Sequence, residues 1–327
     1  MLLQVEAVGL AALSVVLAGP ASAALARAQW PARSPRAALV LWQAIGLGGG
    51  LGVLSAGLTL ASGSLADRWL AGVTGVPGVV AVPSRWSELD GWGWFGVGLT
   101  ACVGMWLVGV AISSGVRVSR ARRTHRQRLE LIAGARRVPG AGRGAGGGEV
   151  FLVEHPSPAA YCLPGLRPRV VVTRGALSVL TGAQVAAVLG HERAHATGRH
   201  DLVVQPFIAW VRTLPFLPSA RAALQAVGLL VEMHADDLAL RECRPGDLAA
   251  ALRRIRASRA PGGAGAVAGA GAGGTGAGAP EELVARTAER LARLEHGSRP
   301  LPVVSVLAVY LGATALVLLP PLVLVLS

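Results

Sequence analysis

The sequence predicts an α-helical membrane protein of about four spans, carrying an α+β soluble domain between its third and fourth spans. Three observations predict it. The chain has 327 residues, 52% of them hydrophobic, and a mean hydropathy of +0.52, too apolar for an ordinary soluble protein. Four uncharged stretches, Ala7–Ala26, Ala37–Ala66, Gly91–Val116 and Pro300–Ser327, meet the roughly 20 residues that a helix needs to cross a bilayer core of about 30 Å. Between the third and fourth, His191-Glu192-Arg193-Ala194-His195 spells H-E-x-x-H in a stretch with helical character.

The first stretch ends in Ala21-Ser22-Ala23, which has the look of a leader cleavage site. Its leading residues, Met1 to Glu6, carry an acid and no base, so an uncleaved first span is expected. The connection after it holds Arg27, Arg33 and Arg36 with no acid. The next, Asp67 to Asp90, has Arg68 and Arg85 against three acids. After the third span come Arg117, Arg120, Arg122, Arg123, Arg126 and Arg128. Basic, mixed, strongly basic is the alternation of a multi-pass cell-membrane protein with its N-terminus outside and its soluble domain in the cytoplasm. Boundaries follow: 1–118 for three spans, 119–299 for the domain, 300–327 for the last span. Pro320-Pro321 predicts a kink or a helix end there.

Within the domain, Pro139 to Gly148 reads as a flexible joint. Glu149–Glu154 and Arg169–Thr173 read as β-branched strands. Thr181 with Gln184 three residues later is a capping-box start for a helix with an apolar face of Val185, Val188 and Leu189. Gly198 reads as its left-handed stop. Val203 to Pro218 is apolar, broken by prolines and too short to span; it reads as an element at the membrane interface or, alternatively, a buried core turn. A second helix is predicted from about Ala220 to Arg241, a third over Ala249–Arg259, and an amphipathic one over Glu281–Glu295. Residues 261–279, almost wholly Gly and Ala, have no side chains to set against the entropy of ordering and are expected to be disordered.

The chemistry sits on two of these helices. Histidines four apart lie one above the other on a helix, so His191 and His195 can reach one ion. Glu192 between them can act as a base toward water. A catalytic metal site needs a third protein ligand and an open position. Glu232 can supply the ligand. Asp236, one turn on, can accept a hydrogen bond from the far nitrogen of a ligating histidine and fix its tautomer. His234, two residues from Glu232, should point away. Helix and strands in this order predict a zincin-like domain.

H-E-R-A-H, then Arg199-His200-Asp201, then E-x-x-A-D, inside a membrane-anchored chain, resembles the BlaR/MecR-type metallopeptidases. These are similar to the HtpX/Ste-type integral-membrane peptidases, and both are gluzincins. The resemblance implies one zinc ion per chain held by His191, His195 and Glu232, with Glu192 as general base and Asp236 behind the ligands. It also likens Val170–Leu177 to an edge-strand segment before the motif helix, and Arg290-Leu291-Ala292-Arg293-Leu294 to a helix after the third ligand. The implied substrate is a cytoplasmic winged-helix repressor, or the chain itself. An HtpX-like quality-control protease and a zinc-binding scaffold without activity are the alternatives. The chain ends just past the fourth span, so no outer sensor domain is expected; a signal would enter through 67–90, the spans or a partner. His200, His234, His296, Arg286 and Arg290 are the candidates to stabilise an oxyanion.

The net charge of +13 comes from arginine, for the chain has no lysine. The cluster after the third span suits anionic lipid headgroups. No helix-turn-helix, finger or stacking-aromatic pattern accompanies it, so direct nucleic-acid binding is not expected. The lipid bilayer and a protein substrate are the expected partners, with a homodimer left open. Cys102, Cys162 and Cys243, isolated and odd in number, make no disulfide framework, and Cys162 is expected to be a packed thiol.

Overall fold

The computed structural model describes residues 2–62, 89–131, 136–137, 149–163, 169–258 and 280–326. The joint 139–148, the Gly/Ala insert 261–279 and nearly all of the connection 67–90 lie outside the described residues. In chain order the helices are α1 (Leu2–Val16), α2 (Ser22–Arg27), α3 (Pro35–Ser62), α4 (Gly91–Leu131), α5 (Arg174–Val179), α6 (Gly182–Thr197), α7 (His200–Thr213), α8 (Pro218–Ala239), α9 (Pro245–Ala257), α10 (Pro280–His296) and α11 (Val303–Leu326). The strands are β1 (Arg136–Arg137), β2 (Glu149–Val153), β3 (Ala160–Leu163) and β4 (Arg169–Thr173). The chain divides into two compact units: 1–114 with 209–223 and 301–327, and 115–208 with 224–300.

The first unit holds four helical segments long and apolar enough to cross a membrane: Leu3–Arg27, Pro35–Ala61, Gly91–Val116 and Val303–Leu326. These four suggest a membrane protein. Glycine sets how closely they approach. A Cβ at Gly48 of α3 would stand 2.6 Å from the Leu316 carbonyl oxygen of α11, and one at Gly96 of α4 would stand 2.5 Å from that of Gly57. Backbones can meet there only because no side chain intervenes. Pro20 opens a π-helical turn, Leu17–Ala21, between α1 and α2. Proline withholds an N–H, and a carbonyl in an apolar setting needs another donor. Hydroxyls supply it: Ser22 Oγ donates to the Leu17 carbonyl and Ser219 Oγ to that of Ala18, each at 2.6 Å.

Two proline-bearing segments stay helical. Of the kink or helix end expected at Pro320-Pro321, the helix end does not occur, since α11 runs through both to Leu326. Val203–Pro218 is not a broken element; α7 continues past Pro206 to Thr213. A proline removes one donor and crowds one carbonyl, and a helix packed on both sides of it absorbs that loss.

The second unit is a four-stranded sheet, in the order β1-β2-β4-β3, with helices on one face. β2 and β4 run parallel, while β1 and β3 pair antiparallel on the outside. β4 is therefore an inner strand. The edge next to it is β3, which lacks the β-branched run that would have announced it. One sheet face packs Val150, Val170 and Val172 against Val188 of α6 and Ala251 of α9. Burying a side chain such as Val188 contributes roughly 1.5–3 kcal/mol. From another side, Ala187 of α6 meets Ala239, Leu248, Ala249 and Leu294. Helix α6 is thus fixed on two faces, and its remaining face carries the motif.

Candidate metal centre

Thr181 and Gln184 close the expected capping box, each side chain accepting from the other's backbone N–H. That cap starts α6 in register, and nine residues later His191 and His195 project together. Their Nε2 atoms stand 3.1 Å apart. Glu232, on the fourth turn of α8, brings Oε2 to 3.4 Å from His191 Nε2 and Oε1 to 3.5 Å from His195 Nε2. Four donors placed tetrahedrally about 2.0–2.1 Å from a zinc ion would be roughly 3.3–3.4 Å apart. The observed spacings are close to that, each histidine facing a different Glu232 oxygen, and the three residues, with one ligand atom each all within 4.8 Å, form a group that could hold a metal.

The far sides of the two rings are occupied. His191 Nδ1 faces Asp236 Oδ1 at 2.9 Å. His195 Nδ1 faces His200 Nδ1 at 3.1 Å, with the two rings edge to face. Both contacts turn the Nε2 atoms toward Glu232. His234 is not a ligand; its ring lies against that of His200, with centroids 5.4 Å apart.

Arg290 of α10 ties the acids down. Its Nε and Nη2 donate to Asp236 Oδ2 and Oδ1 at 2.8 and 2.7 Å, and Nη1 donates to Glu232 Oε2 at 2.8 Å. The guanidinium is buried, and one fork serves two carboxylates. Arg293 pairs with Asp237 at 2.7 Å, so α10 docks on the same stretch of α8 at two arginines. One guanidinium is thus set against two carboxylates, Glu232 and Asp236.

Burial and charge pull the site's protons in stated directions. Desolvation works against the Glu232 and Asp236 carboxylates, but Arg290 and the histidines outweigh it and hold both below their usual range. Desolvation also works against a charged His191, yet Asp236 and Glu232 prevail and raise it to about 10 in the metal-free chain. Glu192 goes up, chiefly from burial. His200, buried and beside His195, goes down to about 3. Glu192 Oε2 accepts from the Cys162 backbone N–H of edge strand β3 at 2.9 Å, which places the base beside that edge. The Cys162 thiol is buried and pushed up to about 12 by burial, Glu192 and Asp201, as suits a packed thiol rather than a nucleophile.

The sequence offered His200, His234, His296, Arg286 and Arg290 as candidates to stabilise an oxyanion, without choosing among them. The structure instead commits His200 to His195 and Arg290 to two carboxylates, while His296 is exposed, its Nδ1 beside its own helix's Ala292 carbonyl. The clamp had a signal: arginines at 286, 290 and 293 recur at helical spacing beside an apolar stripe, and two buried acids need a cation. Gly198 was expected as a left-handed stop. Its φ is −74°, and the left-handed residue is Arg199, with φ 46°.

Residues 119–235 match Peptidase family M48. The match takes in both histidines, Glu192 and Glu232, and supports a metallopeptidase of the M48 type; Arg290 lies outside it. No curated protein and no solved structure matches the chain.

Proposed function

We propose that this chain is a membrane-embedded zinc endopeptidase that hydrolyses peptide bonds. The carrying observation is the convergence of three metal-ligand atoms at tetrahedral spacing beside a buried glutamate. His191, His195 and Glu232 would hold one zinc ion, which supplies a Lewis acid that polarises a carbonyl and acidifies water. Asp236 keeps the His191 proton on Nδ1, leaving Nε2 to bind. Arg290 fixes the Glu232 carboxylate, so the ligand meets the ion without reorganising. Glu192, made more basic by burial, takes a proton at its carboxylate from attacking water and returns it to the leaving nitrogen. Strand β3, at the edge of the sheet among the described residues, runs beside Glu192 and offers backbone groups to an extended substrate.

For substrate, the BlaR/MecR-like motifs support limited cleavage of a cytoplasmic winged-helix repressor or of the chain itself, and the loop charges support a cytoplasmic site. The second reading, an HtpX-like protease for damaged membrane proteins, uses the same site and draws on the family match. Proteome-wide comparison of new N-termini in cells carrying wild type or Glu192→Gln tests both. One or two Glu192-dependent cuts establish limited proteolysis, and many cuts across membrane proteins establish quality control. Glu192→Gln should slow peptide hydrolysis about 10²–10⁴-fold while zinc content holds. No difference in N-termini, with zinc retained, would leave the scaffold alternative standing.

A further inference from the structure

We infer that His200 is a positioning residue for the second histidine ligand, accepting a hydrogen bond from His195 Nδ1. The inference rests on the metal-site reading above and assigns His195 a partner distinct from that of His191. Two imidazole nitrogens 3.1 Å apart need one proton between them. With His195 Nε2 turned toward His191 and Glu232, the single proton of a neutral His195 ring belongs on Nδ1. His195 is then the donor and His200 Nδ1 the acceptor, which puts the His200 proton on its buried Nε2. The two ligand rings are backed differently: His191 by a carboxylate, His195 by a second imidazole.

The local backbone is built around this contact. Arg199 adopts a left-handed φ of 46°, a conformation that costs a non-glycine residue energy and that structures keep where neighbours require it. Arg199 separates α6 from α7, and His200, the first residue of α7, stands beside His195. Gly198 has an ordinary helical φ, so its glycine answers to space instead: a Cβ there would overlap the His200 ring at Nε2 and Cδ2. Alanine at 198 therefore suits the backbone dihedral, and its main clash is with the imidazole, with the Ala194 carbonyl oxygen in tight contact at 3.1 Å. His200 is 2% exposed, and His234 closes its far side.

The experiment is zinc affinity by chelator competition on the full chain in detergent, for wild type, His195→Ala, His200→Leu, His200→Asn and Gly198→Ala. Loss of a ligand's hydrogen-bond partner weakens metal binding about 10–100-fold. His200→Leu should fall in that range, and Gly198→Ala should follow it. His200→Asn, whose carbonyl can accept, should recover most of the affinity. In cobalt-loaded protein, wild type should show two strongly shifted exchangeable imidazole N–H protons. The His200→Leu variant should lose the one assigned to His195 to solvent exchange. If His200→Leu does not fold, Gly198→Ala and His200→Asn decide. Should His195→Ala abolish zinc binding while His200→Leu and Gly198→Ala stay within twofold of wild type, the pairing is overturned and the metal site stands. Should His195→Ala bind zinc like wild type, the metal-site reading fails, and the pairing with it.

Discussion

The two units of this chain are held together by opposite means. In the apolar unit, helices meet through glycines, Gly48 against Leu316 and Gly57 against Gly96, and stray carbonyls are met by hydroxyls. In the other unit, a buried guanidinium binds two buried carboxylates, one of which backs a histidine. Small residues give close contact with little directional demand. A charge network demands every member, since removing one leaves the others desolvated and unpaired. The difference teaches where damage should stay local and where it should spread.

The largest break should come from Arg290→Met. It leaves Glu232 and Asp236 buried without their cation, at a cost of about 3–5 kcal/mol. Thermal unfolding of the detergent-solubilised chain should show the loss, and zinc content should drop with it. Unchanged melting would mean that α10 contributes little to the site. Mild acid should act in the same direction more gradually. In the metal-free protein Asp236 and Glu232 have folded pKa values held below 3.8 and 4.5. Their contribution is therefore fully present above about pH 4.5 and is lost as the pH falls through the lowered folded values. Glu192, raised by burial, works oppositely, being easier to bury once protonated. Two lowered acids against one raised acid should make the melting temperature fall below pH 4.5, and a flat profile in a pH series would refute the network's weight. The smallest effect should come from Gly57→Leu in the apolar unit. Overpacking costs about 1–3 kcal/mol, and zinc affinity should be unchanged. A loss of zinc binding there would show that the two units do not answer separately.

Much of this was legible in the residues because it is local. Hydropathy placed the four apolar segments, and Thr181 with Gln184 placed the motif helix to within a residue. His191, Glu192, His195, Glu232 and Asp236 follow from spacing along two helices, and the structure brings the metal-ligand atoms together. What escaped depends on pairing between distant segments. Arg290 meets Asp236 across 54 positions, and nothing local distinguishes it from Arg286 or Arg293. Strand β3 has no β-branched run of its own and exists because β4 lies beside it, Cys162 opposite Val170. Gly198 was read from the habit of glycine at helix ends, whereas its role lies in the ring two residues on.

Ser219 has a consequence of a practical kind. Its hydroxyl is bonded to the first apolar helix at Ala18, and it stands in the first turn of α8, the helix that later presents Glu232 and Asp236. A fragment cut at 119 and 299 would keep Ser219 and lose Ala18, leaving that hydroxyl without the carbonyl it bonds here.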